Sequence, residues 1–509
     1  MADNNTRIAK NTLFLSIRML FVLIVSLYTS RVFLNVLGVV DYGISNVVAG
    51  FVSMFGFLNT SLSNGIQRFY NAEKGKSGKL GVTKVYNTSL IIQSILALIV
   101  FLLLETVGLW YLYEIMVIPV ERFDVAFWLF QFSTISAVIV ILQAPYSAAI
   151  MAYERMDYFA FVSIFDAALK LGFAFILPHI PADYLLMYGL FYLLIAIITF
   201  TLFWVYSKKN FKELRIQKVD GKGMVREMLS FSGWNFLGTF ACMIREQGLN
   251  MLLNLFFGPV INAARGVAYQ VSSALQGLVS NLGLAAKPQM IESYATGDSS
   301  RTIKLMYTMS KLSFIFLLVM SAPVISNIDY ILHLWLGDVV PHHSAAFIVL
   351  IILTNFMNNL NAPLSNVVYA TGKMKNYELT FSILNVLIIP FSFIALKLGA
   401  PAEFAFAIYF VMTIFVQIGC LLVLKTLVEI SLKEYVCELI FPMLFTALVV
   451  ASTTWIINQF VEEGLMRVGI VTIVIGVISL ILYYFVGLNF AEKRIVDSII
   501  LRFKNRIMR

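Results

Sequence analysis

The chain has 509 residues, of which 60% are hydrophobic and only 13% are charged, and its mean hydropathy is +0.85. Soluble domains are about 45–50% apolar and about 25% charged, so this composition excludes an ordinary soluble protein. The net charge of +9 follows from basic residues concentrated on one side of a membrane, and it requires no nucleic acid partner.

Apolar stretches follow one another along the chain, and most are about 20 residues or longer. That length crosses about 30 Å of hydrocarbon as a helix, whereas β-barrel strands are about 10 residues long and alternate in polarity. The sequence therefore predicts an all-α polytopic membrane protein with about 14 transmembrane helices. The predicted spans are 11–34, 42–68, 85–110, 123–150, 158–178, 184–206, 229–256, 261–288, 304–325, 344–368, 378–397, 402–425, 435–458 and 466–488.

The first apolar stretch begins at Asn11 and is interrupted by Arg18. It is too long for the apolar region of a typical signal peptide, so we expect no cleavable leader. The three cysteines all lie inside apolar stretches, without the spacing of a disulfide framework or a zinc site. We therefore expect neither a metal nor a cofactor.

Basic residues are distributed very unequally between the two sides of the predicted spans. Of the 37 Lys and Arg, 27 lie on the side that carries both termini, 3 lie on the other side and 7 lie within spans, since 27 + 3 + 7 = 37. The positive-inside rule then predicts cytoplasmic amino and carboxyl termini. With the composition, this predicts a multi-pass membrane protein.

A short motif closes the fourth span and recurs after the tenth. The stretch "ILQAPYSAAIMAYERM" (141–156) matches "NAPLSNVVYATGKM" (361–374) through Ala144 and Ala362, and 362 − 144 = 218. Leu-Gly at 37–38 matches Phe-Gly at 257–258 with a nearly equal offset. Because six spans separate the two copies, they have the same orientation in the membrane.

The repeat predicts two parallel six-helix lobes followed by two extra helices. Transporters whose parallel repeats are related by an axis along the membrane normal bind their substrate between the lobes and alternate its access. The predicted organisation is an amino-terminal lobe at 1–207, a basic cytoplasmic linker at 208–224, a carboxyl-terminal lobe at 225–426, and the last two spans with a basic tail at 427–509.

Charged residues inside spans are the candidates for function, because each is costly in a bilayer. Four arginines are predicted to contact an anionic headgroup, since a guanidinium can bind two phosphate oxygens at once. Arg31 and Arg265 lie near span ends and have an alternative, which is to extend to the interface. For Arg18 and Arg245 the alternative is structural pairing. The four arginines are Arg18, Arg31, Arg245 and Arg265.

Three further charged residues are candidates for coupling to an ion. Asp166 and Lys170 are four residues apart on the fifth span and therefore share a helix face. Glu246 follows Arg245 directly, about 100° around the helix, so it does not simply neutralise that arginine. The alternative for Asp166 and Lys170 is a buried structural ion pair.

Three segments resemble those of the polysaccharide-export flippases of the multidrug/oligosaccharidyl-lipid/polysaccharide (MOP) superfamily, which flip O-antigen or capsule repeat units. They are "SNGIQRFYNAEKGK" (63–76), "ILHLWLGDVVP" (331–341) and "YATGKMKNY" (369–377), and the resemblance extends over essentially the whole chain. Each pattern is loose, but their order and spacing match the family.

The resemblance implies a MATE-like fold and an undecaprenyl-pyrophosphate-linked oligosaccharide as cargo, moved from the cytoplasmic to the periplasmic leaflet in lipopolysaccharide or capsule biosynthesis. It also implies coupling to H⁺ or Na⁺, contacts with membrane lipids and polysaccharide polymerase partners. Two alternatives within the superfamily are a cation-coupled multidrug antiporter and a lipid II flippase. A membrane enzyme is disfavoured, because the four histidines lie in or beside outward connections and the chain has no phosphate-binding P-loop.

Overall fold

A computed structural model describes the backbone of residues 2–76, 78–217, 222–488 and 493. Within these ranges side chains are described from Arg18 onward, except at 57–61, 64, 75, 222, 229–236, 281–286 and 288. All regular structure in this part of the chain is helical, which confirms the predicted all-α class. Residues 218–221 of the predicted linker and 489–492 and 494–509 of the predicted tail region lie outside the described residues.

Eighteen α-helices follow one another along the described chain. Short π-helical turns at Leu104–Gly108, Val436–Ile440 and Tyr483–Gly487 and 3₁₀ turns at Val120–Arg122 and Leu177–His179 extend or join them. The helices are α1 (Ala2–Ser53), α2 (Gly56–Lys76), α3 (Gly78–Leu103), α4 (Leu109–Glu114), α5 (Phe123–Ala152), α6 (Met156–Ile176), α7 (Tyr184–Asn210), α8 (Lys222–Phe257), α9 (Pro259–Ala295), α10 (Ser299–Ser326), α11 (Ile328–Leu336), α12 (Ser344–Thr371), α13 (Lys375–Val386), α14 (Ile388–Lys397), α15 (Glu403–Leu427), α16 (Leu432–Tyr435), α17 (Phe441–Phe460) and α18 (Leu465–Leu482).

Eleven helical stretches in the described part of the chain are long and apolar enough to cross a membrane. The first, Arg18–Ser53, continues from the first predicted span into the second. The predicted spans at 229–256 and 261–288 are helical as α8 and α9, but they are not among the eleven. Both helices carry charged and amide side chains in their interior, which lowers their hydropathy. The protein is a multi-pass membrane protein, and the count of fourteen spans stays a prediction.

The backbone repeats the geometry of its turns at the spacing that the sequence motif predicts. Gly38 and Gly258 both have φ +74°, and 258 − 38 = 220. Glu154 and Gly372, which follow the two Ala-Pro motifs, have φ +57° and +71°, and 372 − 154 = 218. Positive φ is open to glycine and costly for most other residues, so its recurrence at a constant offset supports an internal structural repeat.

Both motif prolines lie inside helices that continue past them. Pro145 lies in α5 and Pro363 lies in α12. Proline can kink or break a helix, because it removes one backbone hydrogen bond. Neither helix ends there, so any effect of the proline is confined to a bend within a continuous helix.

The chain is organised in two compact units. Unit 1 comprises Met1–Gln270, Trp335–Ser344 and Ser382–Ile408, and unit 2 comprises Val271–Leu334, Ala345–Phe381 and Tyr409–Arg509. These bounds follow the packing of the described helices rather than the sequence repeat. The predicted lobe boundaries at 207, 224 and 426 stay a prediction.

The first part of the predicted linker is fixed on unit 1. Phe211 and Leu214 are buried in an apolar core that also contains residues of α2, α3 and α5. The Asn87 amide on α3 donates to the Arg215 carbonyl at 2.8 Å and accepts from the Gln217 N–H at 2.9 Å. Residues 211–217 therefore form a docked segment rather than a free connection.

In unit 2 the last helix is attached to the end of α10. Arg467, in the first turn of α18, donates from Nε to Asn327 Oδ1 at 2.6 Å and from Nη2 to the Ser326 carbonyl at 2.9 Å. The same guanidinium pairs with Glu463 at 3.3 Å. The extra helices predicted after the repeat are therefore held in unit 2 by charge-assisted bonds as well as by apolar contacts.

Substitution of Asn87 by alanine is expected to destabilise unit 1 by about 1–3 kcal/mol, because it leaves two partly buried backbone groups of the linker without partners. Thermal unfolding in detergent measures the effect. Asn210→Ala is the matched control, since that amide bonds only within its own exposed helix end. An unfolding temperature equal for Asn87→Ala and Asn210→Ala would show that the linker is not held by Asn87.

Candidate functional site

Two buried arginines meet around one glutamate in unit 1. Arg245, on α8, is 5% exposed and donates to Asn385 Oδ1 at 2.5 Å and to Glu246 Oε1 at 3.0 Å. Arg265, on α9, is also 5% exposed and donates to the Glu246 carbonyl at 2.7 Å. Its guanidinium carbon lies 4.0 Å from the centre of the Tyr269 ring, in a cation–π contact. These five residues are called the arginine cluster below.

The arginine cluster carries an excess of positive charge. In the contacts given above, two guanidinium groups meet one carboxylate, and their other partners are an amide, a backbone carbonyl and a phenol ring. The Glu246 side chain is 37% exposed, whereas that of Arg245 is 6% exposed. The single acid therefore stands at the open edge of the cluster, where it can leave Arg245 at less cost than a buried partner could.

A ladder of asparagines fixes α8 against α9 beside the cluster. Asn262 donates to both the carbonyl and the side-chain oxygen of Asn250 at 2.8 Å, and Asn254 donates to Asn262 Oδ1 at 3.2 Å. All three are at most 1% exposed. Buried amides that satisfy one another hold their helices in one register. Sequence reasoning missed this ladder, although the spacing of Asn250 and Asn254 by one helical turn was its signal.

The second half of α1 lies directly on this pair of helices. A Cβ on Gly43 would lie 1.9 Å from the Pro259 carbonyl oxygen, and one on Gly266 would lie 2.5 Å from Asn46 Oδ1. Only glycine permits such an approach. The arginine cluster is therefore held by three closely packed helices, α1, α8 and α9.

Arg18 lies apart from the cluster, on the first half of α1. Its guanidinium carbon is 5.4 Å from the centre of the Phe159 ring on α6. Its Nε atom is buried and has no hydrogen-bond partner among the described residues. A guanidinium that retains an unused donor is suited to accept a further anionic partner.

Asp166 and Lys170 form the ion pair that their spacing predicts, with Asp166 Oδ2 2.7 Å from Lys170 Nζ. Their side chains are 29% and 33% exposed, so the pair is partly open. Lys170 also lies 5.6 Å from the ring centre of Tyr192. That tyrosine and Tyr188 line a cavity of about 330 Å³ between α1, α5 and α7, which is otherwise mostly apolar. Tyr192 therefore both contacts Lys170 of the ion pair and lines the cavity.

Arg31 lies beside the second of the sequence segments singled out above, residues 331–341. Its Nη2 atom would be 3.8 Å from a Cβ on Gly337, and the neighbouring Asn35 amide donates to the Leu336 carbonyl at 3.1 Å. Trp335 donates from its indole nitrogen to the Leu27 carbonyl at 2.8 Å. The end of α11 and the following turn are thus held on α1, and Arg31 belongs to that contact. None of its described contacts is with the arginine cluster.

A family model described as "Polysaccharide biosynthesis protein" matches residues 8–293, which is more than half of the chain. The chain belongs to this family. The model covers α1 to α8 and nearly all of α9, and therefore every residue of the arginine cluster except Asn385. The resemblance predicted from the sequence is confirmed at this level, and no curated protein is similar enough in sequence to match.

The fold of this polysaccharide biosynthesis family member is also found in solved transporter structures. A lipid II flippase, MurJ, in an inward closed conformation, gives a TM-score of 0.69 at 13% identity, covering 92% of this chain and 98% of MurJ. A multidrug resistance MATE family transporter of the MOP superfamily, inward-facing, gives 0.66 at 14% identity, covering 82% of this chain and 98% of its own. At these identities the similarity shows the fold, and it confirms the MATE-like architecture.

A third structure shows that one fold serves different pockets. A MOP superfamily transporter from Pyrococcus furiosus gives a TM-score of 0.57 at 14% identity, covering 83% of this chain and 97% of its own. That transporter is described as having a binding pocket of reverse polarity, which suggests a different function for it. Proteins that share this fold can therefore differ in function, and the fold alone does not identify a substrate.

A second charged group, in the connections between helices of unit 1, was not among the predicted site residues. Arg122 binds Asp41 from Nε at 2.8 Å and Asp183 from Nη2 at 3.1 Å. At the corresponding positions of the second repeat, His343 pairs with Glu403. The offsets match those of the repeat, since 343 − 122 = 221 and 403 − 183 = 220. The repeat spacing was the signal that could have found both pairs.

The carboxyl group of Asp183 has a lowered pKa. Burial would raise the pKa, but hydrogen bonds from Arg122 and from the N–H groups of Leu185 and Leu186 at the start of α7 outweigh burial. The folded state therefore favours the ionised form, and the bond to Arg122 contributes to stability at neutral pH.

Asp183→Asn is expected to lower stability by about 1–2 kcal/mol at pH 7, because it removes a charge-assisted pair at a partly exposed site. The folded pKa lies below the usual value of about 3.9, so this contribution is complete at neutral pH and is lost only below about pH 4. The measurement is the difference in unfolding temperature between wild type and variant from pH 8 to pH 3.5. Asp157→Asn, at an exposed pair, is the control. A difference that already shrinks between pH 7 and pH 5 contradicts the expected pKa.

Proposed function

We propose that the protein flips an oligosaccharide linked to undecaprenyl pyrophosphate from the cytoplasmic to the periplasmic leaflet of a bacterial inner membrane. The observation that carries the proposal is the arginine cluster, in which Arg245 and Arg265 are both nearly buried and Glu246 is the one acid among the five residues of the cluster. A pyrophosphate supplies the negative charge and the paired oxygens that two guanidinium groups bind best.

The bonds of the cluster suggest how the headgroup is taken up. Arg245 is aimed by a neutral side chain, Asn385, and by a partly exposed carboxylate, Glu246. A phosphate oxygen can replace that carboxylate without leaving any buried charge unpaired. Arg265 is oriented through a backbone carbonyl and the Tyr269 ring, so its orientation does not depend on the carboxylate being in place. The cluster is preorganised for an anion, which lowers the entropic cost of binding.

Arg18 and Arg31 complete the proposed set of headgroup contacts in different ways. Arg18 has a buried Nε atom without a partner, and it lies at the Phe159 ring rather than at the cluster. Arg18 would therefore contact the headgroup at a different stage of transport from the arginine cluster. Arg31 is engaged at the Gly337 turn, so a contact with cargo requires that turn to move.

The family and the charge of the arginine cluster support this cargo. A polysaccharide biosynthesis family fits a lipid-linked sugar, whereas a multidrug antiporter for cations would use an acidic site. A lipid II flippase shares the pyrophosphate headgroup and differs in the sugar. We further propose polysaccharide polymerases as partners, since they consume the flipped repeat units in the periplasmic leaflet.

Arg245→Ala is expected to reduce flipping about 10- to 100-fold, because a charged hydrogen bond contributes about 1.5–3 kcal/mol. The measurement is export of surface glycan by a deletion strain that carries the variant, with lipid-linked intermediates quantified in membrane extracts. Arg155→Ala, an arginine 47% exposed at a turn, is the matched control and should complement fully.

Three outcomes of that experiment distinguish the functions. Loss of surface glycan with accumulation of lipid-linked repeat units supports the proposal. Accumulation of lipid II with arrest of cell wall synthesis identifies a lipid II flippase instead. Intact glycan with increased sensitivity to cationic drugs refutes a lipid-linked cargo and identifies an antiporter.

We also propose that transport is coupled to H⁺ or Na⁺ through Asp166, with Lys170 as its partner and Glu246 as a second candidate. The partly open Asp166–Lys170 pair supports this role, because an ion can compete with Lys170 for the carboxylate. In proteoliposomes, Asp166→Asn should abolish accumulation driven by an ion gradient while exchange without a gradient continues. Asp157→Asn on the same helix is the control, and loss of both activities would indicate a structural role.

A further inference from the structure

A buried carboxyl group in unit 2 takes no part in the proposed headgroup site. Glu378, in the first turn of α13, is 3% exposed. Its Oε1 atom accepts one hydrogen bond, from the Tyr369 hydroxyl on α12 at 3.1 Å. Among the ion pairs between described residues, none includes Glu378, and Lys373 and Lys375 in the adjoining turn are exposed.

None of the titratable groups described around Glu378 is a cation bonded to its carboxyl group. Tyr377 and Cys420 interact with it electrostatically, and both side chains are ordinarily neutral below pH 8. Lys287, on α9, is exposed, and its ammonium lies 5.4 Å from the centre of the Tyr369 ring. Its described contact is with the Tyr369 ring, and none of the ion pairs between described residues joins it to Glu378.

The other buried polar groups nearby are already bonded to one another. Tyr377 donates to Asn361 Oδ1 at 2.7 Å, Asn361 donates to Gln417 Oε1 at 3.2 Å, and Gln417 donates to the Tyr435 hydroxyl at 2.8 Å. These bonds give the amides and hydroxyls their partners inside the protein. Among the described hydrogen bonds, the donor to the Glu378 carboxyl group is the Tyr369 hydroxyl.

A structural role as a helix cap does not account for this residue. The first turn of a helix stabilises an anion by about 0.3–1 kcal/mol, whereas an ion transferred out of water loses several. The repeat offers an internal comparison as well. Tyr158 corresponds to Tyr377, since 377 − 158 = 219, so Phe159 stands at the position of Glu378 in the first copy. The first copy builds the same turn with a phenylalanine, so the turn itself does not require a carboxyl group.

We propose that Glu378 is a proton-binding site, reached from the cytoplasmic side and independent of the cargo. The step is a simple proton transfer, in which hydronium gives its proton to the carboxylate and leaves as water. The acid form is neutral and is compatible with burial against Tyr369. The ionised form favours any arrangement in which the turn between α12 and α13 opens to water. Proton occupancy and the packing of this turn are therefore linked.

Infrared difference spectroscopy of the full-length protein in lipid nanodiscs tests the proposal, with the proton as the only ligand. The pH is stepped from 8 to 4, and the spectrum of Glu378→Gln is subtracted from that of wild type. We expect the protonated carboxyl band of Glu378 to persist to higher pH than that of an ordinary exposed glutamate, whose midpoint is about 4.3. Glu154→Gln, at the exposed counterpart turn, is the control and should leave this band unchanged.

A second variant keeps the test decisive if Glu378→Gln unfolds. Tyr369→Phe removes the donor to the carboxyl group, so the band should move to a higher titration midpoint because the ionised form has lost its hydrogen bond. A wild-type midpoint at the ordinary glutamate value of about 4.3, or a midpoint unchanged by Tyr369→Phe, overturns the proposal. Because no cargo is present, this result is independent of whether the proposed flippase function is correct.

Discussion

The unit 1 structure depends on how buried guanidinium groups are given partners among apolar helices. Each charged group costs at least about 2.5–3.5 kcal/mol at the centre of a bilayer, so it requires hydrogen bonds that the lipid cannot supply. Arg245 and Arg265 obtain these hydrogen bonds from Asn385 and from the side chain and backbone of Glu246. Arg265 also makes a cation–π contact with the Tyr269 ring. The glycines and asparagines on the adjoining helices permit the close packing that holds these partners in place. The need to give each buried guanidinium group its partners therefore connects the asparagine ladder, the glycine contacts and the geometry of the arginine cluster.

The internal repeat shows which features belong to the scaffold and which belong to the site. Positive φ at Gly38 and Gly258, helical prolines at 145 and 363, and ion pairs at Arg122–Asp183 and His343–Glu403 occur in both copies. They secure turns and helix ends. The asparagine ladder and the pair of clustered arginines have no described counterpart in the first copy. The repeated features therefore belong to the scaffold of both copies. Among the described residues, the asparagine ladder and the two clustered arginines belong to the second copy.

Much of the scaffold could be read from the sequence, because hydrophobic length and motif spacing are local signals. The helical class, the offset of about 220 residues and the Asp166–Lys170 pair all follow from such signals. Long-range partners could not be read in this way. That Arg245 bonds Asn385 and that Arg31 lies at the Gly337 turn depend on helix packing across 140 and 306 residues, since 337 − 31 = 306.

The separation of Arg245 from Asn385 also has a consequence for biosynthesis. At about 5–20 residues per second, a ribosome needs about 7–28 s to make the 140 residues between them. Throughout that time α8 has already been made, while the amide that orients its arginine has not. The nascent helix must keep its guanidinium hydrated, or shielded by insertion factors, until α13 arrives. Correct assembly of unit 1 is thus a late event in translation, and defects in α13 should expose α8 to quality-control proteases.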